Sequence, residues 1–159
     1  MTNHTKQFES IVIIYVEQYN MTKDPFIKKK LKEGLKATLR KMTDQKVNMV
    51  SEAAMIACNK KDIDPFELLW PERNILGKDE NGKSLLLWEH TTPLGELCES
   101  IISSKSKEEI LKVITSYSGV CWVTREEDNK LNKAGFRSSR VNGWKSAYEQ
   151  CGINVVYKD

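Results

Sequence analysis

The sequence predicts an α+β protein in which an N-terminal helical bundle is followed by a small β-sheet with flanking helices. Apolar stripes at helical spacing run through residues 5–70 and are punctuated by two Asp-Pro steps. Beyond Pro71 the apolar runs shorten to strand length, as in Ser84–Trp88, Val120–Val123 and Ile153–Tyr157. Capping boxes lie between those runs, so helices and strands mix in the second half.

Phe8, Ile11, Val12, Tyr15, Val16 and Tyr19 share one face of a first helix. Asp24-Pro25 starts a second, with an N-cap followed by proline where its missing N–H costs nothing. Its stripe is Ile27, Leu31, Leu35, Thr38, Leu39 and Met42, with lysines opposite. A third helix is expected from Thr43 or Asp44, carrying Val47, Val50, Ala54, Ala57 and Cys58 inward. Asp64-Pro65 opens a short helix with Phe66, Leu69 and Trp70, and Pro71 closes the region. Residues 1–70 therefore read as a helical subdomain and 71–159 as an α+β subdomain, packed as one unit.

The turn Gly77–Gly82 suggests a hairpin of Arg73–Leu76 with Ser84–Trp88. Leu97 and Ile101 mark a short helix after Pro93. Ser106 with Glu109 caps a helix bearing Ile110, Leu111, Val113, Ile114 and Tyr117, which Gly119 stops. Strand Val120–Val123 leads through a second box, Thr124 with Glu127, into a polar helix over Arg125–Lys133. Asn142-Gly143 turns the chain into a last helix with Trp144, Tyr148 and Cys151, and Ile153–Tyr157 is the final strand.

At 159 residues, with 40% hydrophobic and 30% charged content, the chain can bury a core, which excludes a disordered tail. The net charge of +3 is too small to mark a nucleic-acid binder by itself. Its distribution is uneven: Lys28, Lys29, Lys30, Lys32, Lys36, Arg40, Lys41 and Lys46 crowd one segment, and Lys133, Arg137, Arg140 and Lys145 another. The apolar run Ile11–Val16 is too short for a membrane span and lacks the flanks of a signal peptide. Cys58, Cys98, Cys121 and Cys151 are widely spaced with no Cys-x-x-Cys, which argues against zinc and for reduced thiols in a cytoplasmic protein.

Ser84–Leu94 carries the candidate chemistry. It runs apolar and then breaks into Glu89, His90, Thr91, Thr92 and Pro93. His90 is the only histidine besides His4, and imidazole titrates near neutrality without help. Together with Val120-Cys-Trp-Val-Thr-Arg-Glu-Glu-Asp128, this stretch resembles the core of HNH (His-Me finger) endonucleases over roughly residues 85–135. In that family a strand ends in the catalytic histidine and a second strand enters a metal-holding helix. The resemblance implies a ββα-metal-like core, His90 as general base, and Glu89, Asp128 and Asn132 as ligands of Mg²⁺ or a similar divalent ion. A neutral imidazole would take the proton of the attacking water, and the hard ion would stabilise the leaving oxygen. Leu131 stands where the family has a further histidine, and the connection between His90 and Trp122 is longer than usual and reads as two helices.

Lys133, Arg137, Arg140 and Trp144 form a second candidate group, in a turn-rich stretch interleaving arginines, serines and aromatics. Arginine forks and hydroxyls suit phosphate, while Phe136 or Trp144 could stack on a base. The expected partner is nucleic acid. Two rival readings remain open: a non-catalytic accessory or inhibitory protein acting on a protein partner, and a nucleic-acid-binding domain with a degenerate nuclease site.

Overall fold

The computed structural model describes residues 3–42 and 47–158, with side chains from Phe8 onward. In chain order the elements are α1 (Asn3–Met21), α2 (Pro25–Lys41), β1 (Met49–Ser51), α3 (Glu52–Asn59) and a 3₁₀ turn (Trp70–Glu72). There follow β2 (Leu86–His90), α4 (Leu94–Ser103), α5 (Lys107–Ser116), β3 (Val120–Thr124), α6 (Arg125–Lys133), α7 (Gly143–Gln150) and β4 (Val155–Tyr157). The protein is α+β.

The chain divides into two units, Met1–Thr43 with Pro93–Ser118 and Asp44–Thr92 with Gly119–Asp159, rather than at residue 70. The first unit is helical. Asp24 caps α2, its Oδ1 accepting from the Phe26 N–H at 2.8 Å. Ser106 caps α5 by accepting from the Glu109 N–H at 3.2 Å. Val12, Val16, Leu35, Leu39, Leu97, Cys98, Ile101, Ile110 and Ile114 make one apolar core, gathered from α1, α2, α4 and α5. The lysines of α2 lie outside it; Lys30 pairs with Glu33 at 2.8 Å and Lys32 with Glu99.

The second unit is built on a four-stranded sheet of order β2-β3-β1-β4. β2 runs antiparallel to β3, from Leu86 opposite Thr124 to His90 opposite Val120. β1 lies parallel to β3 through Val50 and Trp122, and antiparallel to β4. Successive side chains of a strand point to opposite faces. Val50, Leu86, Val120 and Trp122 therefore meet Ala54 and Cys58 of α3 in one core, with Trp88 edge-on to Trp122 at 4.7 Å. Met49, Cys121 and Val123 meet Leu131 of α6 and Ala147 and Tyr148 of α7 in another core on the opposite face.

Three expectations are corrected. Residues 5–70 are not helical throughout, because Met49–Ser51 is a strand and α3 begins only at Glu52. Thr43, Asp44 and Lys46 lie outside the described residues. Val47 and Val50 fit a helical stripe with Ala54, but Val50 pairs with Trp122 and with Val156 of β4, far along the chain. After Asp64-Pro65 the chain makes turns and the short 3₁₀ segment instead of an α-helix. Asp64 does cap, accepting from the Phe66 N–H at 2.9 Å, but Pro71 follows too closely for a helix to grow. The Arg73–Leu76 hairpin strand is also not formed; a lone bridge joins Lys78 to Ser84.

Candidate phosphate-binding cleft

The β3–α6 junction and the loop that follows α6 build the site. β3 enters α6 at Thr124, whose hydroxyl accepts from the Glu127 N–H at 3.3 Å while Glu127 returns a carboxylate to the Thr124 N–H at 2.8 Å. The sequence's second capping box is thus closed. α6 is closed two residues past Lys133 by Gly135, whose φ of 85° suits glycine, with the Phe136 N–H donating to the Leu131 carbonyl at 2.9 Å. The following loop carries Arg137 and Arg140 back toward the end of β2.

Glu89 sits at that end on the face of Cys121, because the two are register partners. Arg140 is buried and donates from Nη2 to Glu89 Oε1 at 2.5 Å and from Nη1 to Glu89 Oε2 at 3.3 Å. The same guanidinium donates to the His90 carbonyl at 2.8 Å and to the Thr91 carbonyl. Tyr148 adds its hydroxyl to Glu89 Oε2 at 2.8 Å. Burial pushes the Glu89 carboxyl up from its ordinary range, while Arg140 and the Tyr148 hydroxyl pull it back. Burial, then the neighbouring Glu89, raises the Tyr148 hydroxyl well above its ordinary value, so Tyr148 remains a donor.

A polar cleft of about 360 Å³ opens beside this cluster, lined by Lys83, Arg125, Arg137 and Arg140, by Glu89 and Asp128, and by Asn129, Leu131 and Asn132. Four cations face two carboxylates. Arg125 is held by the Ser84 carbonyl at 2.9 and 3.1 Å and lies 3.6 Å from Asp128, which also accepts from Asn132 Nδ2 at 3.1 Å. Lys83 and Arg137 are exposed and form no ion pair among the described residues.

Of the residues singled out in the sequence, Glu89, Asp128, Asn132, Arg137 and Arg140 share this cleft. Three do not join it. His90 follows Glu89 on the strand, so the pleat sends it to the face of Trp88 and Val120. Lys133 is exposed at the end of α6. Trp144 packs edge-on against Tyr148, 5.3 Å between ring centroids, and lines a separate groove. Lys83, Arg125 and Tyr148 were not singled out; Tyr148 carried only a core signal, and Lys83 sat in a turn.

The residues present do not fit a divalent ion. Glu89 offers its oxygens to Arg140 and Tyr148, so a cation there would have to displace a guanidinium of like charge. Among the described residues, no three His, Cys, Asp or Glu side chains gather in a metal-holding group. No described helix is long and apolar enough to cross a membrane. No protein-family model, curated protein or solved structure matches the chain.

Proposed function

We propose that this protein binds nucleic acid through phosphate contacts in the cleft beside α6 and does not cleave it. The observation that carries this reading is the pair of exposed cations, Lys83 and Arg137, unpaired among the described residues, which line one cleft with the Arg140–Glu89 ion pair. Two antiparallel strands and the helix that follows them bring Glu89, Asp128 and Arg125 to this cleft. Arg140 pins the loop to the carbonyls of His90 and Thr91 at the end of β2, which holds Arg137 where a phosphate can reach it.

Binding is measured against salt concentration, with and without a chelator. The affinity of the intact chain should fall steeply with salt, because phosphate contacts release counterions. Arg137→Ala and Lys83→Ala should each flatten the log–log salt slope by about 1. Chelation should change nothing, and no cleavage of single- or double-stranded DNA or RNA should appear with Mg²⁺. Chelator-sensitive cleavage lost in His90→Ala would restore the enzymatic reading. Arg140 is unsuited to this test because its guanidinium also holds Glu89 and two backbone carbonyls.

The rival reading, a non-catalytic factor acting on a protein partner, has one observation in its favour. A groove of about 590 Å³ is lined by the apolar Ala53, Ala57, Leu76 and Leu85 and by Lys60, Lys61 and Arg125, with one carboxylate, Glu126. An apolar segment carrying an acidic residue toward Lys60 and Lys61 would suit that lining. Absence of nucleic-acid binding at low salt would put this reading ahead.

A further inference from the structure

The sheet has two edges, β2 and β4, and they are finished differently. Along β2 the outward carbonyls at the two ends are taken: Arg125 donates to that of Ser84 and Arg140 to that of His90. β4 has no such cover. Asn154 accepts from the Glu52 N–H at 2.9 Å, Lys158 donates to the Asn48 carbonyl at 3.0 Å, and Val156 pairs with Val50 between them. Backbone groups alternate in direction along a strand, so the N–H and C=O of Val155 and Tyr157 point away from the sheet. Among the described residues nothing bonds them. Beside this edge a shallow groove of about 340 Å³ separates β4 from α7, lined by Val155 and Tyr157 on one side and by Trp144, Lys145 and Glu149 on the other. Lys145 rests over the Trp144 ring; it and Glu149 are exposed and form no ion pair among the described residues.

We infer that a second copy of the chain docks on this edge, β4 pairing antiparallel with β4 so that the two sheets continue into one. An open strand edge is a template for another strand. Self-complementarity is what names the second copy as the occupant. Pairing centred on Val156 sets Val155 of each copy against Tyr157 of the other, and each such pair exchanges both its hydrogen bonds, so every outward group of the edge is used. The two-fold axis then stands normal to the sheet. Both α7 helices lie on one face, run antiparallel, and bring Lys145 of each copy toward Glu149 of the other. A foreign strand would gain the backbone bonds, but one lysine and one glutamate give it no charge to prefer. Trp144 and Tyr157 supply the aromatic surface common at the centre of interfaces.

Sedimentation velocity of the intact chain over a concentration series reads the association. The wild type should pass from monomer to dimer as concentration rises. Val155→Pro deletes an outward N–H and no bond to β1, so it should abolish the dimer while a thermal melt shows the fold retained. Charge reversal tests the same interface without touching the backbone. Lys145→Glu and Glu149→Lys should each weaken the dimer roughly 2- to 30-fold, the range of losing two exposed ion pairs. The double variant, with both charges exchanged, should dimerise like wild type, and this rescue holds the test even if Val155→Pro fails to fold. A monomer at every concentration overturns the inference, and so does a dimer indifferent to both charge reversals. A monomer whose edge instead takes up an added extended peptide would make the occupant a foreign strand and overturn it too. The cleft reading is independent of all these results, since it stands on the Arg137→Ala salt slope.

Discussion

Arg140 shows what one side chain can do at this site. Its guanidinium reaches two carboxylate oxygens and two backbone carbonyls, so a loop far along the chain is tied to the end of β2. Removing it strands a buried carboxylate, and breaking a buried pair from one side typically costs about 3–5 kcal/mol. Arg140→Met should therefore lower the urea midpoint strongly. Combining it with Glu89→Leu should recover much of the loss, since replacing both members of a buried pair by apolar groups is often neutral. The part not recovered measures the contacts with the carbonyls of His90 and Thr91. Urea denaturation of the two single variants and the double variant decides this; a double variant as unstable as the sum of the singles would contradict it.

At the scale of elements, two helix starts are joined through one carboxylate. Ser51 caps α3 by accepting from the Ala54 N–H at 3.1 Å, while its hydroxyl donates to Glu127 Oε2 at 2.6 Å. Glu127 in turn accepts from the N–H and the hydroxyl of Thr124 at the start of α6, at 2.8 and 3.0 Å. Both Ser51 and Glu127 are buried, so neither can turn to water when the other is lost. Ser51→Ala removes a cap and leaves Glu127 short of a donor, a loss of about 1–3 kcal/mol. Glu127→Ala should cost a similar amount, and the double variant less than the sum. A double-mutant cycle in urea should show coupling of about 0.5 kcal/mol or more; strict additivity would mean that the two caps act separately.

For the whole molecule, the consequence of the fold is that β2 and β3 are neighbours although residues 91–119 separate them in sequence. The Thr91 N–H and Thr91 hydroxyl both donate to the Gly119 carbonyl, at 3.1 and 2.8 Å, so the chain leaves the second unit and re-enters it at nearly one point. Gly119, at a φ of 94°, makes that re-entry possible. A tight turn could close the gap. Residues 47–92 joined through Asn-Gly to 119–158 should fold as a cooperative unit and keep the salt-dependent affinity of the intact chain. Far-UV circular dichroism, a thermal melt and the binding titration test this; a chain without a cooperative melt would show that the second unit depends on the first.

Local signals carried much of the fold. The caps at Asp24, Ser106 and Thr124 and the strands over Val120–Thr124 and Leu86–His90 were legible because capping and apolar runs are decided within a few residues. The order of motifs suggested that those two strands are neighbours in one sheet, while their antiparallel direction is decided by the tertiary fold. By contrast, Met49–Ser51 read as helix because a three-residue strand has no period of its own and exists only where distant strands accept its hydrogen bonds. The site divided in the same way. Glu89, Asp128, Asn132, Arg137 and Arg140 were marked by residue type, but their roles were not. Sequence adjacency placed Glu89 and His90 together, and the pleat sends them to opposite faces of the sheet. Whether Glu89 would meet a metal or an arginine depended on where the loop after α6 brings Arg140. That path is set by the packing of α6 and α7 on the sheet, which no short stretch of sequence encodes.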